Sequence, residues 1–146
     1  MDNNPIDRET ILVEELKILQ GIINRMAQNS LECKKWTLAL AVGVLSLKIE
    51  SFSNLYGLCV LGVLLLCFWF LDAYYLKQER LFREQYEWLV KNRFKTDERL
   101  FEVFPRKDLL EINPCKFSYF KIMFSVSLFP YMALALCLVG YGLCFL

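Results

Sequence analysis

The stretch W69-F-L-D-A-Y-Y-L-K-Q-E-R-L-F-R-E-Q-Y-E-W-L-V-K-N-R93 carries two solvents' worth of chemistry on one helix. It opens as the end of an apolar run and continues, without Gly or Pro, into dense charge. Glu79, Arg83, Glu87 and Lys91 follow each other at four-residue spacing with alternating sign, and Arg80 and Glu84 form a further pair. Such pairs support a water-exposed helix by about 0.2–0.5 kcal/mol each. Phe82, Tyr86 and Leu89 lie on another face at a/d spacing, so one face is wet and one requires a partner. The pattern predicts a helix that leaves an apolar medium near Asp72 and continues through water.

Upstream, L55-Y-G-L-C-V-L-G-V-L-L-L-C-F-W-F-L71 is 17 residues without a charge, at the lower edge of a membrane-spanning length. Phe68, Trp69, Phe70, Tyr74 and Tyr75 cluster at its end, where aromatic rings favour a membrane–water interface. Another apolar block, W36-T-L-A-L-A-V-G-V-L-S-L47, covers about 18 Å as a helix against a hydrocarbon core of about 30 Å. Lys34, Lys35 and Lys48 flank it with stems long enough to snorkel, and Ile49 and Phe52 extend it. The short link from Glu50 to Asn54 makes the two blocks an antiparallel hairpin; the alternative for the shorter block is a buried helix of a soluble protein. From Phe117 to Leu146 the only charge is Lys121, which predicts one long span that Pro130 kinks or leaves straight.

The remaining composition narrows the function. The chain has 146 residues, 56% hydrophobic, with a net charge of +1, so no general attraction to duplex nucleic acid is indicated. The start, MDNNPIDRETILVEELK, is acidic and polar rather than a secretory signal. There is no His, which removes the commonest general base and zinc ligand. None of the six Cys forms a CxxC pair, and four lie in apolar blocks, so free thiols are expected, with no metal and no cofactor. No residue set for catalysis is evident.

Leu12, Leu16, Leu19, Ile23 and Met26 form an a/d seam of little more than two heptads. It packs either within its own subunit or against copies of itself, and the Phe82–Tyr86–Leu89 face is its natural partner. Lys34 and Lys35 before the first block, Lys77, Arg80 and Arg83 after the second, and Lys116 before the third predict a cytosolic N-terminus. The expected fold class is an all-α membrane protein with three transmembrane helices and helical cytosolic extensions. Its units are a cytosolic amphipathic helix (1–35), a transmembrane hairpin (36–75), a cytosolic helical segment (76–116) and a C-terminal transmembrane helix (117–146). About 40 residues between spans are too few for a separate catalytic domain.

Three sets of residues carry the functional reading. Asp72 sits at the inner boundary near the depth of Lys34 and Lys35, and a carboxylate there needs pairing or hydration, so an interfacial ion pair is expected. Lys91, Arg93 and Lys95, interleaved with Phe94, and the pair Arg106–Lys107 suit a nucleotide phosphate, or else are ordinary positive-inside charge. In the third span, Ser125, Ser127 and Tyr131 either face a pore or bond to neighbouring backbone. Leu128, Met132, Leu136 and Val139 are the positions for an apolar gate that blocks ions by dewetting. Ala133, Cys137, Gly140 and Cys144 form a small-residue stripe suited to close helix packing.

The tract FWFLDAYYLKQERLFREQYE after a short-link hairpin, with LQGIINRMAQNSLECKKWTLALAVGVLSL upstream and FSVSLFPYMALA downstream, resembles small bacterial membrane proteins of anti-phage defence systems. Similar proteins include the transmembrane effector of Hailong defence and a cyclic-nucleotide-binding membrane protein of type III CRISPR systems. The resemblance covers most of the chain. It implies a homo-oligomer, tetrameric in the first instance, in the bacterial inner membrane. It also implies control by a cyclic nucleotide or oligonucleotide from a partner nucleotidyltransferase or CRISPR complex, and action by membrane disruption. On this reading the chain is a channel-forming effector; the alternative is a non-conducting membrane scaffold that recruits a cytosolic partner.

Overall fold

The structure, a computed structural model, describes residues 5–47, 55–96, 104 and 118–145. Among these there is no strand, and four helices account for nearly all of the described residues. Helix α1, Pro5–Leu47, has 43 residues and is about 65 Å long. Pro5 opens it in the first turn, where a missing N–H costs nothing. Helix α2, Leu55–Asn92, has 38 residues and is about 57 Å long. The two lie antiparallel along nearly their whole length, as the pairing of Glu15 with Arg93 and of Lys34 with Asp72 shows. Helix α1 runs through positions 35–36 without a break, so the amphipathic stretch and the first apolar block are one element rather than two.

Two apolar cores hold the hairpin at different heights. At the polar end, Leu12, Leu19 and Leu89 are buried, with Leu16, Phe82, Tyr86 and Trp88 packed around them. This is the expected seam against its expected face, and both belong to the same chain. At the apolar end, Leu65, Ala73 and Leu76 of α2 form a cluster with Ile122, Leu128 and Tyr131 of the third segment.

That third segment differs from the single span expected. It consists of helix α3, Tyr119–Met123, a 3-10 turn at Val126–Leu128, and helix α4, Phe129–Phe145. Between them Ser125 is extended, with φ −77° and ψ 155°. Pro130 supplies the reason: a continuous helix would need its N–H and would drive its ring into the carbonyl four residues back. As the second residue of α4 it needs no N–H, and the chain breaks before it instead of kinking at it. Helix α4 has 17 residues, about 25 Å, somewhat short of a hydrocarbon core of about 30 Å.

One helix among the described residues, Tyr56–Asn92, is long and apolar enough to cross a membrane. Of its most apolar window only 28% is buried, whereas the core helix of a soluble protein would be mostly covered. Exposed apolar side chains gather on the same half of the molecule: Trp36, Leu38 and Val42 on α1, Val63, Leu66 and Phe70 on α2, Phe129, Leu136 and Leu143 on α4. Apolar surface so grouped fits lipid or other protein better than water.

Candidate functional site

Where the apolar half begins, three segments meet at a buried polar junction. Ser30, Lys34 and Thr37 of α1 are spaced four and three apart and so share a helix face. That face meets Asp72 of α2, which is 0% exposed. The Lys34 ammonium donates to Asp72 Oδ1 and to Ser30 Oγ, each at 2.9 Å, and lies 2.7 Å from Asp72 Oδ2 as an ion pair. The Ser30 hydroxyl donates to Asp72 Oδ1 in a short hydrogen bond. Thr37 satisfies its own donor by bonding back to the Cys33 carbonyl at 2.8 Å. A carboxylate removed from water costs several kcal/mol unless paired, and two N–H···O contacts and one O–H···O contact supply the pairing here. Lys35 does not join it: its ammonium points outward to Glu32, at 2.6 Å.

The third segment closes the junction through Tyr131, which is 1% exposed. Its buried hydroxyl faces Thr37 and Asp72. Its ring stacks on Trp69 of α2, with centroids 6.5 Å apart and planes 3° from parallel. The edge of Trp69 also meets Phe124 at 5.9 Å, and its indole N–H donates to the Met123 carbonyl at 3.1 Å. The chain break leaves carbonyls without helical partners, and in an apolar setting each such group must be satisfied locally. Trp69 does this for Met123, so the indole pins the break to α2. Tyr119 adds a second anchor, stacked on Phe70 at 5.9 Å and lying under the Lys77 ammonium at 3.8 Å.

Burial, and after it the charge of Asp72, hold the Cys33 thiol above its ordinary pKa. The thiolate is the reactive form, so Cys33 is deficient in it at neutral pH. In detergent at pH 7, N-ethylmaleimide is expected to modify exposed Cys59, Cys67 and Cys137 about tenfold faster than Cys33, with the rates read by mass spectrometry of peptides. Comparable rates would show that this junction is open.

Of the cations proposed for a phosphate, Lys91, Arg93 and Lys95 lie among the described residues. The Arg93 guanidinium is buried and binds Glu15 in fork geometry, Nε to Oε2 at 2.7 Å and Nη2 to Oε1 at 2.8 Å, with both side chains 3% exposed. The register of α1 against α2 puts Glu15 beside it, so Arg93, a candidate for a phosphate, stands here in an ion pair within the hairpin. Lys91 faces solvent against Glu87 at 3.5 Å, and Lys95 is exposed. Arg106 and Lys107 lie outside the described residues. Of the proposed gate positions, Leu128 is fully buried against the hairpin and Met132 is half-buried, while Leu136 and Val139 point away from the chain's own core. Ser127 is exposed, and the Ser125 hydroxyl is buried without a partner. A Cβ added at Gly140 would meet nothing, so the small-residue stripe has no packing role there within one chain.

The sequence reading passed over Ser30, Thr37 and Glu15, and took Trp69 only as an interfacial aromatic. The polar pattern Ser30-Lys34-Thr37, leading into an apolar block on a single face, was the available sign for the first two. Comparison with family models, curated proteins and solved structures finds no match to this chain.

Proposed function

We propose that this chain is a three-span inner-membrane protein, with its N-terminus cytosolic, that assembles as a homo-oligomer and passes ions. A nucleotide or oligonucleotide signal would control it in anti-phage defence. The observation that carries the conduction reading is the polar junction itself. A buried ion pair, faced by a buried tyrosine hydroxyl, lies at the inner edge of the apolar half, with the break in the third segment pinned against it. A buried charge pair at such a depth is costly, and its usual use in membrane proteins is in an ion or proton pathway. Hairpin helices of about 57–65 Å, roughly twice the thickness of a hydrocarbon core, support a cytosolic stalk able to receive a signal. The oligomer is supported by the outward face of α4, where Leu136, Val139 and Leu143 share a side and remain exposed. Defence, a tetramer and a nucleotide signal rest on the resemblance, whose most specific part is the D72-A-Y-Y-L76 run with Glu79, Arg80, Phe82 and Arg83. Lys91 and Lys95, together with Arg106 and Lys107, are the cations left to take a phosphate.

Leu136→Ser and Val139→Ser place a hydroxyl in the proposed apolar constriction and should wet it. At least one is expected to depolarise uninfected cells more than the parent, as read by a potential-sensitive dye. Leu128→Ser serves as the contrast: it opens a cavity in the subunit core, costs about 2–3 kcal/mol of stability, and should not leak. If neither outward variant depolarises cells, and the purified parent carries no current in bilayers with cyclic and linear oligonucleotides added, conduction is excluded. The non-conducting scaffold then takes its place.

A further inference from the structure

We propose that the oxygens around Lys34 form a site for a monovalent metal cation such as K⁺, occupied in this structure by the protein's own ammonium. Lys34 Nζ is held by Asp72 Oδ1 and Oδ2 and by Ser30 Oγ at 2.7–2.9 Å. Asp72 and Ser30 are at most 5% exposed, so these oxygens are built into the fold and do not come from solvent. The Tyr131 hydroxyl is buried, faces Asp72 and is the natural further ligand. An alkylammonium head and K⁺ carry the same charge and are similar in size. Hard oxygen donors suit both, and carbonyl or carboxylate oxygens replace a cation's hydration shell in selective pores.

Lys34 is the only ionised member with a way out. Its side chain is 20% exposed, while the Asp72 side chain is 0% exposed. Movement of α1 that draws the ammonium toward solvent leaves a buried carboxylate with no countercharge. That state costs several kcal/mol, and entry of a dissolved cation relieves it. No anion and no multivalent head group fits the exchange, because the site then holds the wrong net charge. This inference deepens the conduction reading and, for its functional part, rests on it. In that reading Lys34 is a tethered plug, and the ion that replaces it is the ion passed, which makes the pathway selective for cations over anions.

The test uses the full chain in detergent with Lys34→Met, which keeps the apolar stem and removes the charge. Melting is followed by circular dichroism in KCl and in N-methyl-D-glucamine chloride at equal ionic strength, the organic cation being too large for the site. The variant is expected to melt about 5 °C higher in about 100 mM KCl, and the parent to show no difference between the salts. Adding Asp72→Asn to the variant should abolish the shift. A variant folded in KCl and unfolded in the organic salt gives the same support. Equal melting of the variant in the two salts overturns the site, and so does failure to fold in either, since a cation able to bind would have replaced the lost ammonium. Planar-bilayer current from the same variant is read separately. A K⁺-dependent shift with a silent bilayer keeps the site and removes its role in conduction.

Discussion

Replacing Glu15 by Ala is expected to destabilise the polar end of the hairpin by about 3–5 kcal/mol, the range seen when one member of a buried ion pair is removed. Glu15 and Arg93 are each 3% exposed, so truncation removes from a buried guanidinium the carboxylate that meets it in fork geometry. Much of the loss is the cost of keeping that charge out of water with this carboxylate gone. The double variant Glu15→Leu with Arg93→Met should therefore recover the greater part of the stability, since Leu12, Leu19 and Leu89 already provide an apolar setting next to it. Denaturant titration in detergent reads both, and amide exchange along residues 8–20 locates the change. A single variant within about 1 kcal/mol of the parent would show the pair to be solvated. The same experiment bears on signal binding, because a guanidinium held this way is not available to a phosphate.

The other large effect is expected at Trp69. Trp69→Ala removes the stack on Tyr131, the edge contact with Phe124 and the hydrogen bond to the Met123 carbonyl, at a cost of about 3–5 kcal/mol. Trp69→Phe keeps most of the ring area and loses the N–H, so it isolates the carbonyl: about 1–3 kcal/mol for a buried acceptor left unsatisfied. The effect should be local. Amide exchange should rise across residues 119–131 and remain as in the parent at Leu12, Leu19 and Leu89, which belong to a separate cluster. Unchanged exchange in 119–131 would mean that the indole does not hold the break. If the chain conducts as proposed, loosening this pin should also change its current, because the break is where the third segment meets the ion pair.

Much of this architecture was legible from periodicity and charge. The tract from Trp69 to Arg93 reads as one continuous helix because it has no breaker and carries an i, i+4 ladder. The structure contains that helix with Glu79–Arg83 and Glu87–Lys91 paired. The seam from Leu12 to Ile23 and the face from Phe82 to Leu89 were legible as two apolar stripes in need of cover. Asp72 was legible as a carboxylate needing a cation, because an unpaired charge is expensive in any apolar setting.

What the sequence by itself determined was the local demand: which faces are apolar, which charges can pair within a helix turn, and where a helix cannot run on. Only the tertiary structure decided how each demand is met. The two apolar stripes cover each other within one chain, since the short link folds α1 back on α2 before any second copy is required. Lys34 and not Lys35 reaches Asp72, because adjacent residues on a helix point about 100° apart and only one faces α2. Arg93 goes to Glu15 and not to solvent because the antiparallel register sets them side by side across 78 positions of sequence. Pro130 in the sequence pointed to one span, kinked or straight, and not to a break. The break is the outcome because Trp69, far away in sequence and adjacent in space, supplies the hydrogen bond that a severed helix needs at Met123. Pairwise spacing along one helix is a property of the chain, whereas the height at which two helices meet is set by all of their packed side chains at once.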